Sequence, residues 1–217
     1  MQAQTTIDQP NKIVQFFAKI VSYIFHPLFI PTYVFLFLVY QFPYEFSVVM
    51  QFQLNLKLIS TFIVTAFFPS FAVFLLWRLK FIDSIFLRTQ KERIIPFFIT
   101  MFFYWWMYYL GKNMKDQPVV LQFFYFGIFI STAIGVIINN FIKISLHGIA
   151  MGSALMAVVL FSFYYQMQLT AAISITIILT GLVGTARLLA SNHTNEEIYT
   201  GLIVGIVCQL FAYWFVL

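Results

Sequence analysis

Apolar runs long enough to cross a bilayer recur along most of this chain, and no other feature limits its fold so tightly. They lie at 24–41, 56–77, 95–111, 118–141, 146–166, 169–190 and 196–217. A spanning helix needs about 20 such residues. Hydrocarbon offers a backbone no hydrogen-bond partner, so a continuous apolar run satisfies its N–H and C=O groups by folding as a helix. The predicted fold is therefore an all-α, polytopic transmembrane helix bundle of six to seven spans, one domain over residues 1–217. Charge content agrees: 9% of residues are charged, where a soluble domain carries roughly a quarter.

Residues 1–23 precede the first run. "MQAQTTIDQPNK" has neither the basic start nor the small-residue cleavage site of a signal peptide, so it is expected to persist as a polar tail. The following "KIVQFFAKIVSYIF" alternates faces as an interfacial amphipathic helix does. Pro27 and Pro31 predict a kink near the start of the first run. The aromatic "FFYWWMYY" of the third run suits an interfacial belt. "GIAMG" and "GLIVG" are small-xxx-small patterns, which predict that the last three helices form a tight core. Cys208 is the only cysteine and reads as a packing residue; no disulfide and no cysteine-based metal centre is expected. A net charge of +5 without a Lys/Arg block excludes the usual grip on nucleic acid.

Lys and Arg set the expected orientation. With seven spans, Lys12, Lys19, Arg78, Lys80, Arg88, Lys91, Arg93, Lys143 and Arg187 share one side, and Lys57, Lys112 and Lys115 the other. Nine against three makes the first side cytoplasmic by the positive-inside rule. A cell membrane, of the bacterial inner-membrane kind, is the expected location.

Three polar islands fall on that richer side: "RTQKERIIP" (Arg88, Lys91, Glu92, Arg93, Pro96), "KISLHG" (Lys143, Ser145, His147) and "ARLLASNHTNEE" (Arg187, His193, Glu196, Glu197). Charges at membrane depth are costly, and they mark function by default. Two of the islands open into a helix N-terminus, where free N–H groups and the dipole favour an anion, phosphate above all. A histidine with a carboxylate four residues on can be held in one tautomer as a nucleophile, and a second histidine can act as acid.

The pattern Arg187-x5-His193-x3-Glu197 resembles the third signature, S-R-x5-H-x3-D, of the type 2 phosphatidic acid phosphatase superfamily. Ser145-Leu146-His147 resembles its second, P-S-G-H, and "KERIIP" a degenerate form of its first, K-x6-R-P. The resemblance covers about residues 88–205. It implies a metal-independent membrane lipid phosphatase, without cofactor, acting on lipid phosphates through a phosphohistidine. It further implies His193 as nucleophile, Glu197 as its partner, His147 as general acid, and Arg187 and Ser145 as phosphate ligands with Lys91 and Arg93. Ile144, Leu146, Ala186 and Glu197 depart from the family's proline, glycine, serine and aspartate.

Those departures keep a second expectation open, a non-catalytic phospholipid-binding or transport protein that retains the anion site. Individual residues also have plainer roles. Thr194 and Glu197 form a capping-box pattern. Lys143 reads first as a headgroup snorkeller, His26 as local packing before a place at the site entrance, and Asn139 and Asn140 as a helix cap or a cross-helix tie. The sequence leaves the particular lipid and the oligomeric state open.

Overall fold

A computed structural model describes residues 11–87, 89–114, 116–190 and 193–217. Residues 1–10 of the tail, Arg88 of the first island and Lys115 lie outside the described residues. The described chain is helical, with α1 (Lys12–Ile24), α2 (Ile30–Gln41), α3 (Gln51–Phe62), α4 (Phe68–Arg78), α5 (Gln90–Asn113), α6 (Val119–Ile138), α7 (Leu146–Tyr165), α8 (Thr170–Ala190) and α9 (Asn195–Val216). A π-helical turn at Ile63–Phe67 joins α3 to α4, which run on as one apolar helix of 28 residues. The turn ends two residues before Pro69, whose ring and missing N–H disturb the helical ladder.

Six helices, Gln51–Arg78, Gln90–Asn113, Val119–Asn139, Leu146–Tyr165, Thr170–Ala190 and Asn195–Val216, are long and apolar enough to cross a membrane. The protein is a polytopic membrane protein. The first predicted run differs, because the Pro27 segment breaks it and its helix α2 has only 12 residues. At 1.5 Å per residue that is about 18 Å, short of the roughly 30 Å hydrocarbon core. The chain nevertheless follows α7 from end to end. His26 packs against His147 with ring centroids 5.6 Å apart, and Phe42 stacks on Tyr165 at 4.0 Å. The lead-in forms α1 as expected, with Ile13, Phe16, Phe17 and Ile24 exposed along it.

The centre of the bundle is α6, α7 and α9. Gly148 and Gly152 on α7 meet Gly201 and Gly205 on α9 so closely that a Cβ on Gly148 would lie 2.6 Å from the Ile198 carbonyl oxygen. One on Gly201 would lie 2.5 Å from that of Ser145. Gln209, fully buried, donates across to the Phe124 carbonyl of α6 at 3.2 Å. Cys208 is buried, as a packing residue should be. The expectation that all of the last three helices form this core fails at α8. Its described buried residues are Val183 and Ala186 alone, and it packs against α1 and α7 at the edge. The two glycine patterns lie on α7 and α9, so only that pair can approach backbone to backbone.

At the end of the bundle opposite the islands, Lys57 pairs with Asp116 at 2.9 Å.

Candidate functional site

The start of α9 is a small device built from three side chains. Thr194 caps the helix, accepting from the Glu197 N–H at 3.3 Å. Glu197 answers through Oε2, which accepts the Thr194 N–H at 3.2 Å and also bonds His193 Nδ1 at 2.6 Å. The capping box and the histidine–carboxylate pair are thus one arrangement, and the same oxygen serves both. A carboxylate can only accept, so Nδ1 carries the proton and the Nε2 lone pair is left free. Burial, joined by the nearby Arg93 and Arg187 guanidiniums, lowers the His193 pKa from its ordinary value, against the pull of Glu197. The ring is therefore neutral, and nucleophilic, near pH 7.

The second island docks on the third through the backbone. The Ser145 N–H donates to the Glu197 carbonyl at 3.1 Å. The Ser145 hydroxyl is fully buried and caps α7, accepting from the Gly148 N–H at 3.3 Å. The phosphate-binding expectation for Ser145 therefore meets a different job: the hydroxyl holds a helix start and is absent from the cavity wall described below.

Arg93 comes from the first turns of α5, whose start has its own capping box between Thr89 and Glu92. The guanidinium is buried and reaches toward the other islands. Its Nε donates to the Leu87 carbonyl at 2.9 Å and its Nη1 to the Ile144 carbonyl at 3.3 Å. A guanidinium has five N–H donors, so these two bonds fix its plane and leave donors for an anion. Asn139 ties the same corner across helices, donating to the Gln90 carbonyl at 3.1 Å. Lys91 is exposed on the first turn of α5 and does not reach the cavity. Successive helix positions point about a quarter-turn apart, and Arg93 occupies the inward one.

These elements enclose a cavity of about 620 Å³ with Arg93, Lys143, Arg187, Lys19, His26, His147 and His193 in its walls. It gathers four cationic side chains from four separate stretches of chain. Lys143, expected to snorkel, stands in this wall, where burial and Arg93 lower its pKa from the ordinary value. His26, expected to pack locally, also lines it, and burial with Arg187 nearby brings its pKa down to about 4. Lys19 enters from α1. Lys143 belongs to the second polar island, while Lys19 carries no local signal, because α1 reaches the site only through tertiary packing. His147 lines the cavity too, but its Nε2 is 3.0 Å from the Ser22 carbonyl. A carbonyl only accepts, so that nitrogen carries a proton committed to α1. Proton transfer by His147 is left to Nδ1.

Each helix start at the site is closed by its own cap, at Thr89, Ser145 and Thr194. The helix dipoles remain, but an anion entering the cavity would meet chiefly side-chain cations. The arrangement holds a buried, neutral imidazole with one free ring nitrogen in a cationic cavity. It suits capture of a phosphate and attack on its phosphorus. Among the described residues, no three His, Cys, Asp or Glu side chains gather as a metal site would need. No family model, no curated protein and no solved structure matches the chain.

Proposed function

We propose that this membrane protein is a lipid phosphatase that cleaves a phosphomonoester or pyrophosphate of a lipid through a phosphohistidine. The observation that carries the reading is the 2.6 Å bond from His193 Nδ1 to Glu197 inside a cavity walled by Arg93 and Arg187. It supports the roles that the resemblance to type 2 phosphatidic acid phosphatases implies for His193, Glu197 and Arg187.

In this reading the guanidiniums and Lys143 hold the phosphoryl oxygens and neutralise charge as the transition state forms. His193 Nε2 bonds to phosphorus while the phosphorus–oxygen bond to the lipid breaks. His147 enters this step as an imidazolium, its Nε2–H kept on the Ser22 carbonyl, and the leaving oxygen takes the second proton, the one on Nδ1. Water then attacks the phosphohistidine and gives a proton back to His147, and inorganic phosphate leaves. The cation-rich side that holds the site is proposed to be cytoplasmic, by the positive-inside count.

The test is phosphate release from a panel of lipid phosphates by purified protein in detergent with EDTA present. Phosphatidate, a lipid pyrophosphate and a single-chain alkyl phosphate make up the panel. Release above background on at least one of them is expected. No release on any, with lipid phosphate still bound, would establish a second reading: a lipid-phosphate binding or transport protein. The committed Nε2 proton of His147 is the observation favouring that alternative.

The acid role is separable. His147→Ala is expected to slow an alkyl phosphate at least about tenfold more than nitrophenyl phosphate, whose leaving group needs little protonation. Equal losses on both would make His147 a positioning residue that anchors α1 through Ser22.

A further inference from the structure

A second cavity, of about 330 Å³, runs into the bundle from the cationic one. The two share His26, Pro27, Ile85, Leu87, Arg93 and Leu146 as walls, so they adjoin there, and His26 and Arg93 are taken as the neck between them. Beyond the neck the walls turn mostly apolar, with Pro31, Val73, Phe97, Ile128, Ile149 and Ala150, and the Thr100, Ser131 and Thr132 hydroxyls among them donate to carbonyls of their own helices. On α5 the walls extend from Arg93 to Tyr104, roughly 16 Å along a helix. The inner end is closed by Tyr104, Ile128 and Ser153, all buried. The outer lip carries Phe74 and Ile85, 47% and 48% exposed, on the flank of the bundle.

We infer that this groove holds one hydrocarbon chain of the lipid whose phosphate occupies the cationic cavity. The inference rests on the proposed lipid-phosphate reading of that cavity. An amphiphile with an anionic head and an apolar tail matches the two connected volumes in order. The neck is then where the oxygen joining head to tail must lie, beside His26 and Arg93. A lipid tail already sits in an apolar medium, and lipid is as apolar as leucine. Entering the groove therefore yields little hydrophobic free energy. What the groove supplies is shape: room for one chain, a fixed direction for the phosphorus–oxygen bond, and a length limit at its closed end.

Dodecyl phosphate bearing a diazirine at the chain terminus tests this. The full-length protein in nanodiscs is irradiated with it, and the labelled peptides are identified by mass spectrometry. Label is expected near Ile128–Thr132 and Ala150–Ser153, and excess unlabelled dodecyl phosphate should remove it. Ala150→Phe, which fills the groove midway, should cut that labelling at least about tenfold. Label spread over outward residues such as Ile178 and Leu182, unchanged by Ala150→Phe or competitor, would overturn the inference. Phosphate release from dodecyl phosphate in the same samples separates the two readings. Groove labelling without release removes the phosphatase and leaves the groove. Release with label only on the outer surface removes the groove and leaves the phosphatase.

Discussion

Replacing His193 with alanine is expected to abolish lipid-phosphate hydrolysis, lowering kcat by on the order of 10⁴-fold or more. Removal of a nucleophile leaves only the positioning and charge neutralisation supplied by the other groups. Binding should survive, because Arg93 and Arg187 line the cavity independently of the imidazole. KM or the Kd for a lipid phosphate should thus move by no more than a few-fold. Radiolabelled substrate should leave acid-labile phosphate on the wild-type chain and none on the variant. The pH profile gives a second readout. His193 is active when neutral, and burial with the nearby arginines lowers its pKa from the ordinary histidine value. As pH falls, the acid limb of kcat/KM due to this group should appear below the usual histidine range, not near its ordinary value of 6.5. A variant that keeps full activity would remove His193 from the chemistry. An acid limb at the ordinary histidine value would show that the free site is far more hydrated than this cavity.

Gly152→Leu is expected to destabilise the protein by about 3 kcal/mol or more, since overpacking a rigid contact forces backbone apart. A Cβ there would meet the Leu202 carbonyl oxygen, with the Leu202 carbonyl carbon at 3.0 Å and its Cα at 3.1 Å. These are backbone atoms of α9 and cannot rotate away. The helices must separate, and separation breaks the Ser145 N–H bond to the Glu197 carbonyl that docks two islands together. Loss of activity should accompany loss of stability. Gly181→Leu is the control. A Cβ at Gly181 meets nothing within 4 Å, so the change should stay within about 0.5 kcal/mol. Thermal unfolding of the two variants in the same detergent checks this. Equal melting temperatures would show that the α7–α9 crossing is not held by backbone contact.

The membrane spans were legible because each is a local property: about 20 apolar residues in a row have one stable backbone solution in lipid. The exception is instructive. Residues 24–41 read as a span by hydropathy, yet Pro27 ends the helical register, and α2 begins only at Ile30. The α7–α9 crossing was legible too, because glycine at four-residue spacing is itself the contact surface. Including α8 in the core was an error of proximity in sequence. The glycines of α8, Gly181 and Gly184, face no backbone.

Within the site, the Arg187–His193–Glu197 spacing could be read directly as a motif, although Arg187 lies in the last turn of α8 and His193 just before the Thr194 cap of α9. The sequence raised capping and histidine orientation as rival or joint tasks for Glu197. Only the geometry shows one oxygen, Oε2, doing both. Ser145 and His147 stood in the motif positions, but motifs do not say that the Ser145 hydroxyl caps α7 or that the His147 Nε2 meets Ser22, nor that Lys91 faces outward. His26, Lys19 and Lys143 reach the cavity from α1, its following turn and the α6–α7 connection. Lys143 stood in a polar island and His26 near the start of the first run, but only packing shows that they and Lys19 share one wall. Local chemistry thus determined the membrane helices, the glycine crossing and the histidine–carboxylate pair, because each depends on neighbours within a turn or two. The cation-lined cavity and the apolar groove behind it depend on which helix ends meet, and only packing of the whole bundle decided that.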